Sequence, residues 1–493
     1  MPRLTIRHEG KETSLAFEGS PLLSTVLSGQ GLAVAQPCGG RGRCGKCGVD
    51  LVGEVSPPNE MEQKAGKRLA CQAVLLGDSK VSLPDTRPMA QIQMEGAVHT
   101  GSLKPLPGRY GAAVDLGTTT IALRLFDLRS GALLSSAGEG NPQAQVAGDV
   151  MGRIGAALDG GLEKLQQLVL SAIESCLEKA CQQAGLAAAD VETLVIAGNT
   201  TMLYLLTGRP PHSLAKAPFH ADTLFGEWAE VLGRKAYLPP CMNAFVGADI
   251  TCAVLASGLT RKEETALLCD VGTNGEIALW QNGTLCVAST AAGPAFEGAG
   301  IVMGSASLPG AVDSVWVEDK ALKAHVIGDA TAASICGSGL IDAVAALLDL
   351  ELVDETGAMD EPSLIIQGAV RLFRQDIRSV QLAKAAIAAG IDTLLNHAGL
   401  SPEQVDAFYL AGGFGSHLDL DSAARIGLMP GALTRKARVI GNASLDGASL
   451  LLLNQDTLDQ ARALAAASRH VALGGNPRFN EAFMEQMLFP ETD

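Results

Sequence analysis

Four cysteines near the start of the chain have the residue type and spacing of metal-cluster ligands. Cys38, Cys44 and Cys47 lie in one glycine-rich loop, and Cys71 follows on a later segment. Thiolates from one tight loop can surround an iron–sulfur cluster while a fourth thiolate closes it from another element. The spacing therefore predicts that these four cysteines hold a [2Fe-2S] cluster. A zinc site or a disulfide pair is the alternative, although zinc ribbons usually contain two Cys-x-x-Cys pairs and this stretch contains one.

A second chemistry is indicated by two similar strand–turn–strand segments. In the first, Asp115 is followed by Gly117, Thr118, Thr119 and Thr120; in the second, Asp270 is followed by Gly272, Thr273, Asn274 and Gly275. Glycine–threonine turns offer backbone N–H groups and hydroxyls to phosphate oxygens. An aspartate at a strand end can hold Mg²⁺, usually through water. One copy alone is also typical of an ordinary hairpin, but two copies predict a phosphate and Mg²⁺ site in a duplicated α/β protein.

Further segments carry side chains that could complete such a site. Asp249 lies near the start of a predicted helix, and Gly412 and Gly413 end a predicted strand, where paired glycines allow a nucleotide to approach closely. Asn199 either caps the helix that follows it or faces the nucleotide cleft. Residues 336–339 precede a long apolar helix, and they either present N–H groups to an anion or form a close-packed helix start.

Composition excludes several classes of function. The net charge is −16, which argues against a nucleic-acid-binding surface as the main function. No apolar run reaches the ~18 residues that a membrane span needs, and the first residues lack the apolar segment of a signal peptide. The seven cysteines outside the cluster motif lie in apolar surroundings, which predicts buried thiols in a reducing compartment. We therefore expect a cytoplasmic protein.

The elements that position these residues predict a multidomain α+β and α/β protein. Residues 1–85 alternate in hydrophobicity around a short helix and predict a β-grasp ferredoxin domain. Residues 86–108 contain several prolines and little periodicity, and they predict a linker. Residues 109–493 predict a two-lobed α/β domain, with lobe I at about 109–262, lobe II at about 263–450 and C-terminal helices at 451–493.

From residue 110 to about 450, the order of these motifs resembles the superfamily of acetate kinases, sugar kinases, heat-shock chaperones and actin. The resemblance implies that the two-lobed domain is an actin-like ATPase, with a phosphate-1 motif at residues 115–120 and a phosphate-2 motif at residues 270–275. It implies that Asp249 orients the attacking water and that Gly412 and Gly413 contact adenosine. Lys384, on the helix before the adenosine motif, is a further candidate adenosine contact; a lysine on a solvent-facing helix surface is the alternative.

Taken over nearly the whole chain, the cysteine set and these motifs resemble the reductive activators of corrinoid proteins. The interval of five residues between Cys38 and Cys44 is similar to that of adrenodoxin-type ferredoxins. The resemblance implies ATP-dependent reduction of an inactive Co(II) corrinoid to Co(I), with an upstream electron donor, a corrinoid protein as partner and a homodimeric assembly. Asp115 and Asp270 would organise Mg²⁺-bound water, and the turn residues would hold the phosphates.

The sequence departs from this family in one respect, and it leaves two alternative functions open. Relatives carry a middle domain between linker and ATPase, and Pro107 here leads almost directly into the first phosphate strand, so we expect that domain to be missing. The first alternative function is an ATP-driven electron donor to another low-potential enzyme, such as an acyl-CoA dehydratase or reductase. The second is a redox sensor that binds nucleotide without turnover.

Overall fold

The structure, a computed structural model, describes residues 1–8, 11–30, 32, 34, 42, 47–83, 103–413 and 418–491. Cys38, Cys44 and most of the predicted linker lie outside these residues. The chain groups into two compact units, the first made of Met1–Met89 and Pro142–Leu168 and the second of Ala90–Asn141 and Val169–Asp493.

The N-terminal part of the first unit is a five-stranded mixed sheet with two short helices. Its elements are β1 (Arg3–His8), β2 (Lys11–Ala16), α1 (Leu23–Gly29), β3 (Gly48–Val55), α2 (Glu60–Ala65), β4 (Arg68–Leu69) and β5 (Leu75–Ser82). The strand order is β2-β1-β5-β3-β4, and only β1 and β5 are parallel. Alternation along β1 turns Leu4 and Ile6 to one face, where they pack with Leu23 and Leu27 of α1. A mixed sheet with a helix on its apolar face agrees with the predicted β-grasp.

The second segment of the first unit, Pro142–Leu168, is stabilised by buried polar contacts. It contains α3 (Val150–Ala156), a π-helical turn (Ala157–Gly161) and the start of α4 (Leu162–Ala184). The buried Arg153 donates from Nε to the Ala147 carbonyl at 3.0 Å and from Nη1 to Gln143 Oε1 at 3.0 Å. Gln143 in turn donates to the Leu165 carbonyl at 2.9 Å. These bonds compensate the burial of a charged side chain.

Two six-stranded sheets dominate the second unit. Its strands are β6 (Tyr110–Leu116), β7 (Thr120–Asp127), β8 (Ala132–Gly140), β9 (Val191–Gly198), β10 (Glu227–Val231), β11 (Arg234–Leu238), β12 (Ala266–Val271), β13 (Gly275–Gln281), β14 (Thr284–Thr290), β15 (Ala311–Glu318), β16 (Ala321–Val326), β17 (Ser334–Ile335), β18 (Ser363–Gln367), β19 (Val370–Phe373), β20 (Ala407–Ala411), β21 (Ala437–Gly441) and β22 (Arg469–His470). The sheets have the orders β10-β11-β9-β6-β7-β8 and β21-β20-β12-β13-β14-β22, while β15 to β19 form two smaller sheets.

Helices cover and connect these sheets. They are α5 (Thr200–Leu206), α6 (Ala248–Ser257), α7 (Gly337–Asp349), α8 (Arg374–His397), α9 (Leu420–Arg425), α10 (Gly431–Thr434), α11 (Ala443–Leu453), α12 (Asp456–Ala467) and α13 (Pro477–Glu485). Short 3-10 turns lie at Pro142–Gln145, Ala188–Asp190, Leu259–Arg261, Pro294–Glu297, Ile327–Asp329 and Pro402–Gln404. None of the described helices is long and apolar enough to cross a membrane.

The two large sheets repeat one topology, as the duplicated motifs predict. In the first sheet, β6 pairs antiparallel with β7 and β7 with β8, and β6 runs parallel to β9. In the second, β12, β13 and β14 form the same meander, and β12 runs parallel to β20. Each predicted threonine turn is therefore the first hairpin of a sheet, at equivalent positions in the two copies.

The chain passes from the first sheet to the second after α6 and returns in α11. Leu445 and Leu452 of α11 pack with Ala113 of β6 and Val195 of β9 in one apolar cluster. The helices α6 and α11 approach so closely that a Cβ atom on Gly447 would lie 2.1 Å from the carbonyl oxygen of Cys252. Glycine is therefore required at this position for the two helices to touch.

The segment between α6 and β12, where the chain passes from the first sheet to the second, is hydrogen-bonded to the second sheet by a tryptophan. Trp280 of β13 donates its indole N–H to the carbonyl of Lys262 at 2.9 Å. The predicted burial of the scattered cysteines is confirmed, since all seven are buried free thiols: Cys176, Cys181, Cys241, Cys252, Cys269, Cys286 and Cys336.

Candidate functional site

The two threonine hairpins face one cavity of about 290 Å³ in the second unit. Twelve of the residues predicted to bind phosphate, Mg²⁺, water or adenosine line it: Asp115, Gly117, Thr118, Thr119, Thr120, Asp249, Asp270, Gly272, Thr273, Asn274, Gly412 and Gly413. Twelve further residues complete the wall: Asn199, Val271, Glu276, Phe296, Glu297, Ser305, Ala306, Ser307, Gly337, Ser338, Asn442 and Ser444. Residues from both sheets and both connecting helices therefore meet at a single site.

Asp115, at the end of β6, is oriented by the start of α11. Asn442 donates from Nδ2 to Asp115 Oδ2 at 3.0 Å, and the Ser444 hydroxyl donates to Oδ1 at 2.8 Å. Burial raises the pKa of Asp115, and these two hydrogen bonds act in the opposite direction because they favour the ionised carboxylate. The carboxylate is thus fixed by one donor on each oxygen.

Asp249 and Asp270 are the other two aspartates of the cavity wall, and both are half-buried. Burial and the nearby charge of Asp115 raise the pKa of Asp249 to about 7. Burial and the charges of Asp249 and Asp115 raise the pKa of Asp270 to about 7. Burial, with Asp249 and Asp270, also raises the pKa of Glu276 well above its ordinary value. Neighbouring carboxylates that repel one another in a partly dehydrated site favour protons or a bound cation. Among the described residues, however, no three His, Cys, Asp or Glu side chains are placed to hold a metal ion directly.

Two asparagines hold the first hairpin in the same way. Asn199 accepts from the backbone N–H of Met202 at 3.0 Å, which caps α5, and donates to the Thr118 hydroxyl at 3.0 Å. Asn442 accepts from the N–H of Leu445 at 2.9 Å, which caps α11, and donates to Asp115. Both interpretations of Asn199 are therefore correct, since one amide caps a helix and faces the cavity.

Glu297 bridges the two hairpins. Thr119 donates its hydroxyl to Glu297 Oε2 at 2.7 Å, and Thr273 donates its hydroxyl to Oε1 at 2.9 Å. The two hydroxyl oxygens lie 3.4 Å apart. A single carboxylate thus joins a turn of the first sheet to the equivalent turn of the second.

The predicted glycine and helix-start segments also reach the cavity. Gly412 has φ +92°, and a Cβ atom there would lie 2.5 Å from Asp270 Oδ1, so a side chain would collide with the catalytic candidate. At the start of α7, Gly337 and Ser338 line the cavity, and the Ser338 hydroxyl donates to the Asp313 carbonyl at 2.8 Å. That helix start is therefore both packed and open to the site.

Two predicted residues lie away from the cavity wall. Lys384 is fully buried in α8, where Nζ donates to the Leu488 carbonyl and lies 5.3 Å from the centre of the Phe489 ring. Burial lowers the pKa of Lys384 to about 8. The solvent-facing alternative for this lysine is wrong. Gly275 packs against α8 instead, since a Cβ atom there would lie 3.0 Å from Ile387.

The cavity wall has an unusual charge composition for an anion site. Among its described residues there is no lysine, arginine or histidine, whereas five carboxylates are present: Asp115, Asp249, Asp270, Glu276 and Glu297. Hydroxyls and turn N–H groups can bind phosphate oxygens, but they do not neutralise phosphate charge. The site can therefore hold a phosphate chain if a cation binds with it.

In the first unit, two of the four predicted cluster ligands are described and lie together. Cys47 and Cys71 are buried cysteines whose sulfurs are 3.2 Å apart. The hydrogen bond from Cys47 lowers the pKa of Cys71 to about 6, with help from Gln72 and the backbone of Gly42. Two thiolates on one tetrahedral metal with bonds of about 2.3 Å would lie about 3.8 Å apart, so this pair, at 3.2 Å, would have to open slightly to share a metal ion. Cys38 and Cys44 are outside the described residues.

The sequence interpretation missed Asn442, Ser444 and Glu297. A signal existed for Asn442, because Gly441 ends β21 and Asn442 follows it, just as Gly198 ends β9 and Asn199 follows it. Glu297 ends the short 3-10 turn Pro294–Glu297, outside any strand-end pattern. Its role depends on two threonines that lie 178 and 24 residues away along the chain.

Three family models match consecutive parts of the chain. The 2Fe-2S iron-sulfur cluster binding domain matches residues 6–76, the RACo middle region matches residues 110–262, and the C-terminal domain of RACo, the ASKHA domain, matches residues 264–493. The expectation that the middle domain is missing is therefore wrong. The region assigned to lobe I is the family's middle region, and its hairpin resembles that of the second sheet.

Named relatives agree with these matches. The corrinoid activation enzyme RamQ of Eubacterium limosum is 32% identical over 77% of this chain and 70% of the relative. The reductase of a Co(II) methylated amine-specific corrinoid protein from Methanosarcina barkeri is 27% identical over 77% of each chain. The solved structure of a reductive activator for a corrinoid, iron-sulfur protein covers 99% of each chain with 26% identity and a TM-score of 0.74. With a ferredoxin-type domain followed by an ASKHA domain, the chain belongs to the RACo family of reductive activators of corrinoid proteins.

Proposed function

We propose that this chain hydrolyses ATP to drive single electrons from its iron–sulfur cluster onto a corrinoid protein, reducing inactive Co(II) to Co(I). The observation that carries the proposal is the cavity itself, where a threonine turn from each sheet faces three half-buried aspartates. Such a site suits a phosphate chain and a metal ion, and the paired thiols Cys47 and Cys71 suit a redox cluster. As a family member, the chain is a reductive activator of corrinoid proteins.

Electron transfer to an acceptor of lower reduction potential is unfavourable, and this explains why nucleotide turnover is needed. Plant-type [2Fe-2S] centres have potentials near about −400 mV, and each further 59 mV that one electron must climb costs about tenfold in equilibrium. An acceptor of lower potential would be reduced rarely by such a centre alone. Closure of the two sheets around ATP could change the environment of the bound corrinoid and shift that balance.

Mg²⁺ is the cation that we assign to the cavity. The carboxylates of Asp115 and Asp270 would organise its bound water, and Thr118, Thr119, Thr273 and Asn274 would hold the phosphates. Asp249, near the start of α6, would orient the attacking water. The metal would supply the positive charge that the described cavity wall lacks. Nucleotide binding should therefore be lost when divalent cations are chelated, as calorimetry with AMP-PNP would reveal.

The remaining assignments concern the cluster and the assembly. Cys38, Cys44, Cys47 and Cys71 would bind a cluster of the [2Fe-2S] type, which supplies one-electron transfer. We propose the domain division 1–85 for the ferredoxin part, 86–108 for the linker and 109–493 for the ATPase, with contacts of Gly412 and Gly413 to adenosine. A homodimer and an upstream electron donor complete the proposal.

Anaerobic spectroscopy of a Co(II) corrinoid protein tests this function. The full chain, a reductant and Mg·ATP should produce Co(I), and omission of ATP should prevent it. Reduction that ignores ATP, or nucleotide binding without turnover, would contradict the proposal, and the latter would favour the redox sensor. ATP turnover that no corrinoid protein stimulates would favour another low-potential acceptor.

A variant of the water-orienting residue tests the site. Asp249→Ala should retain binding of Mg·ATP, because the phosphate turns are intact, yet lose most of the hydrolysis. Unchanged hydrolysis would remove the assignment of Asp249. The matched control is Asp360→Asn, which alters an exposed aspartate away from the cavity.

A further inference from the structure

Glu297 is held in place by the element that carries it. It ends the 3-10 turn Pro294–Glu297, whose Phe296 is buried in the core of the second sheet. The backbone N–H of Gly293, just before this turn, donates to the Thr273 carbonyl at 2.9 Å. The segment is therefore anchored to the second threonine hairpin, and its carboxylate projects into the cavity that both hairpins line.

The carboxylate engages the hydroxyls that the proposed function assigns to phosphate. Each of its oxygens accepts one hydroxyl, from Thr119 at 2.7 Å and from Thr273 at 2.9 Å. A threonine hydroxyl has a single proton to donate. It cannot donate to Glu297 and to a phosphate oxygen at the same time, so the two acceptors exclude each other at these threonines.

Charge strengthens this exclusion. Glu297 and a nucleotide phosphate are both negative, and no lysine, arginine or histidine is found among the described residues of the wall. Like charges at short range in a partly dehydrated site repel. A phosphate that reaches the two threonines must therefore displace the carboxylate from them.

We propose that Glu297 is an internal competitor of the nucleotide, which bridges Thr119 and Thr273 in the empty cavity and is displaced by the phosphate chain. This inference rests on the proposed function, because it takes Mg·nucleotide as the ligand. Glu297 thereby sets the nucleotide affinity and the preference among nucleotides. The bridge also joins the two sheets when no nucleotide is bound.

Binding calorimetry on the full chain tests the proposal. Glu297→Gln removes the negative charge and weakens the acceptor, so Mg·AMP-PNP should bind about tenfold more tightly than to the unaltered chain. Mg·ADP should gain less, because it brings fewer phosphate charges. Glu297→Asp keeps the charge and should leave the affinity within about threefold of the starting value. The control Glu361→Gln, at an exposed glutamate outside the cavity wall, should change nothing.

Thermal unfolding gives a second readout. Without nucleotide, Glu297→Gln should lower the unfolding midpoint because a neutral amide bridges the two hydroxyls more weakly than the carboxylate does, and saturating Mg·AMP-PNP should largely remove this difference. Glu297→Ala, which has no acceptor at all, should shift affinity and midpoint in the same directions if the glutamine variant folds poorly.

Unchanged or weaker binding of Mg·AMP-PNP by both variants would overturn the proposal and assign Glu297 to the binding machinery instead. Failure of the unaltered chain to bind Mg·AMP-PNP would remove the proposed function and, with it, this inference. The two failures are thus distinguished by the starting protein alone.

Discussion

The three cavity aspartates lower the stability of the folded protein when no cation is bound. Asp115, Asp249 and Asp270 lie half-buried in one cavity wall, and desolvation and mutual repulsion raise the pKa values of the last two to about 7. Each of them is ionised in the unfolded chain near pH 7 but resists ionisation in the folded one. The residues that would bind a cation thus lower stability until the cation arrives.

Asp270→Asn tests this balance. Between about pH 4 and pH 7 the folded protein holds a proton on Asp270 that the unfolded chain has released, so its contribution makes the free energy of unfolding fall as pH rises through that interval. At pH 8, without metal or nucleotide, we expect the variant to unfold with a free energy higher by on the order of 2 kcal/mol. Thermal unfolding at pH 5 and pH 8 measures the effect, which should be smaller at pH 5.

The control for that experiment is Asp360→Asn, which changes an exposed carboxylate and should shift neither midpoint. ATP hydrolysis should be lost in Asp270→Asn despite its higher stability. A variant that is less stable than the unaltered chain at pH 8 would contradict the argument.

At the scale of single residues, the sequence predicts those functional residues that stand in a recognisable pattern with their neighbours along the chain. Asp115 and Asp270 end apolar strands, and the threonines follow in tight turns, so neighbours along the chain suffice to identify them. Ser444 and Glu297 contact partners 329 and 178 residues away, and no local pattern marks such contacts. The burial of Lys384 was not predicted for the same reason, because its partner Leu488 is 104 residues distant along the chain.

At the scale of elements, the two connecting helices control the geometry of the cavity. The helix α6 carries Asp249, and α11 carries Ser444 and begins at its cap, Asn442. Their contact depends on Gly447, which faces the backbone of Cys252. The spacing between these helices therefore fixes the distance between Asp249 and the groups that orient Asp115.

Gly447→Ala should disturb stability and activity together. The added methyl group would meet the Cys252 carbonyl at 2.1 Å, so the helices must separate, at a cost of about 1–3 kcal/mol or more. We expect a lower unfolding midpoint and a reduced rate of ATP hydrolysis. In the control Gly155→Ala, the new Cβ in α3 meets no atom within 4 Å, and the change should be neutral or slightly stabilising. Full activity of Gly447→Ala would disprove the spacing argument.

In the first unit, Glu62 joins α2 to β4. Its carboxylate accepts from the N–H of Asn59 at 2.9 Å, from the N–H of Leu69 at 2.9 Å and from Arg68 at 3.0 Å. Burial acts to raise the pKa of Glu62, but the bonds from Leu69, Asn59 and Arg68 outweigh it, and the pKa is lowered. Its stabilising contribution is therefore present above pH 4.5 and is lost as pH falls through the lowered value.

Glu62→Gln should lower the free energy of unfolding of this unit by about 2 kcal/mol at pH 7. The difference from the unaltered chain should shrink towards pH 3. Chemical denaturation at several pH values provides the measurement, with Glu60→Gln on the exposed side of the same helix as control. A loss in the free energy of unfolding that is the same at every pH would instead show that Glu62 stabilises the unit through packing.

Elements were predicted well where the periodicity was regular. The two hairpins and the amphipathic strand β1 follow directly from alternation and turn residues. The missing-middle-domain expectation failed because the middle region forms a sheet with the same meander as the second sheet, so its sequence was assigned entirely to the ATPase. Because the two sheets share one topology, the boundary between the middle region and the C-terminal domain is recognised only by comparison with the family models.

For the whole molecule, the redox and nucleotide chemistries belong to separate units. The thiol pair lies in the first unit, and every described residue of the cavity lies in the second. Loss of one chemistry should therefore leave the other intact, while the activation of a corrinoid protein needs both.

Cys71→Ser tests this independence. We expect loss of the visible absorbance of the cluster after anaerobic reconstitution, because a serine hydroxyl is a poor substitute for a thiolate ligand. Mg·AMP-PNP should bind with unchanged affinity, and Co(I) should no longer form. Cys269→Ser, at a buried thiol outside the motif, controls for loss of a cysteine and should retain the absorbance. Nucleotide binding that fails together with the cluster would show that the units depend on each other.

The indole of Trp280, bonded to the Lys262 carbonyl where the chain passes between the sheets, gives the protein a built-in optical probe. Only two other tryptophans are present, and Trp228 and Trp316 are both about half exposed to solvent. A rotation of one sheet against the other that moves this connecting segment should change the Trp280 bond and the polarity around the ring. Steady-state emission should therefore follow the opening and closing of the cleft in real time, without an attached label.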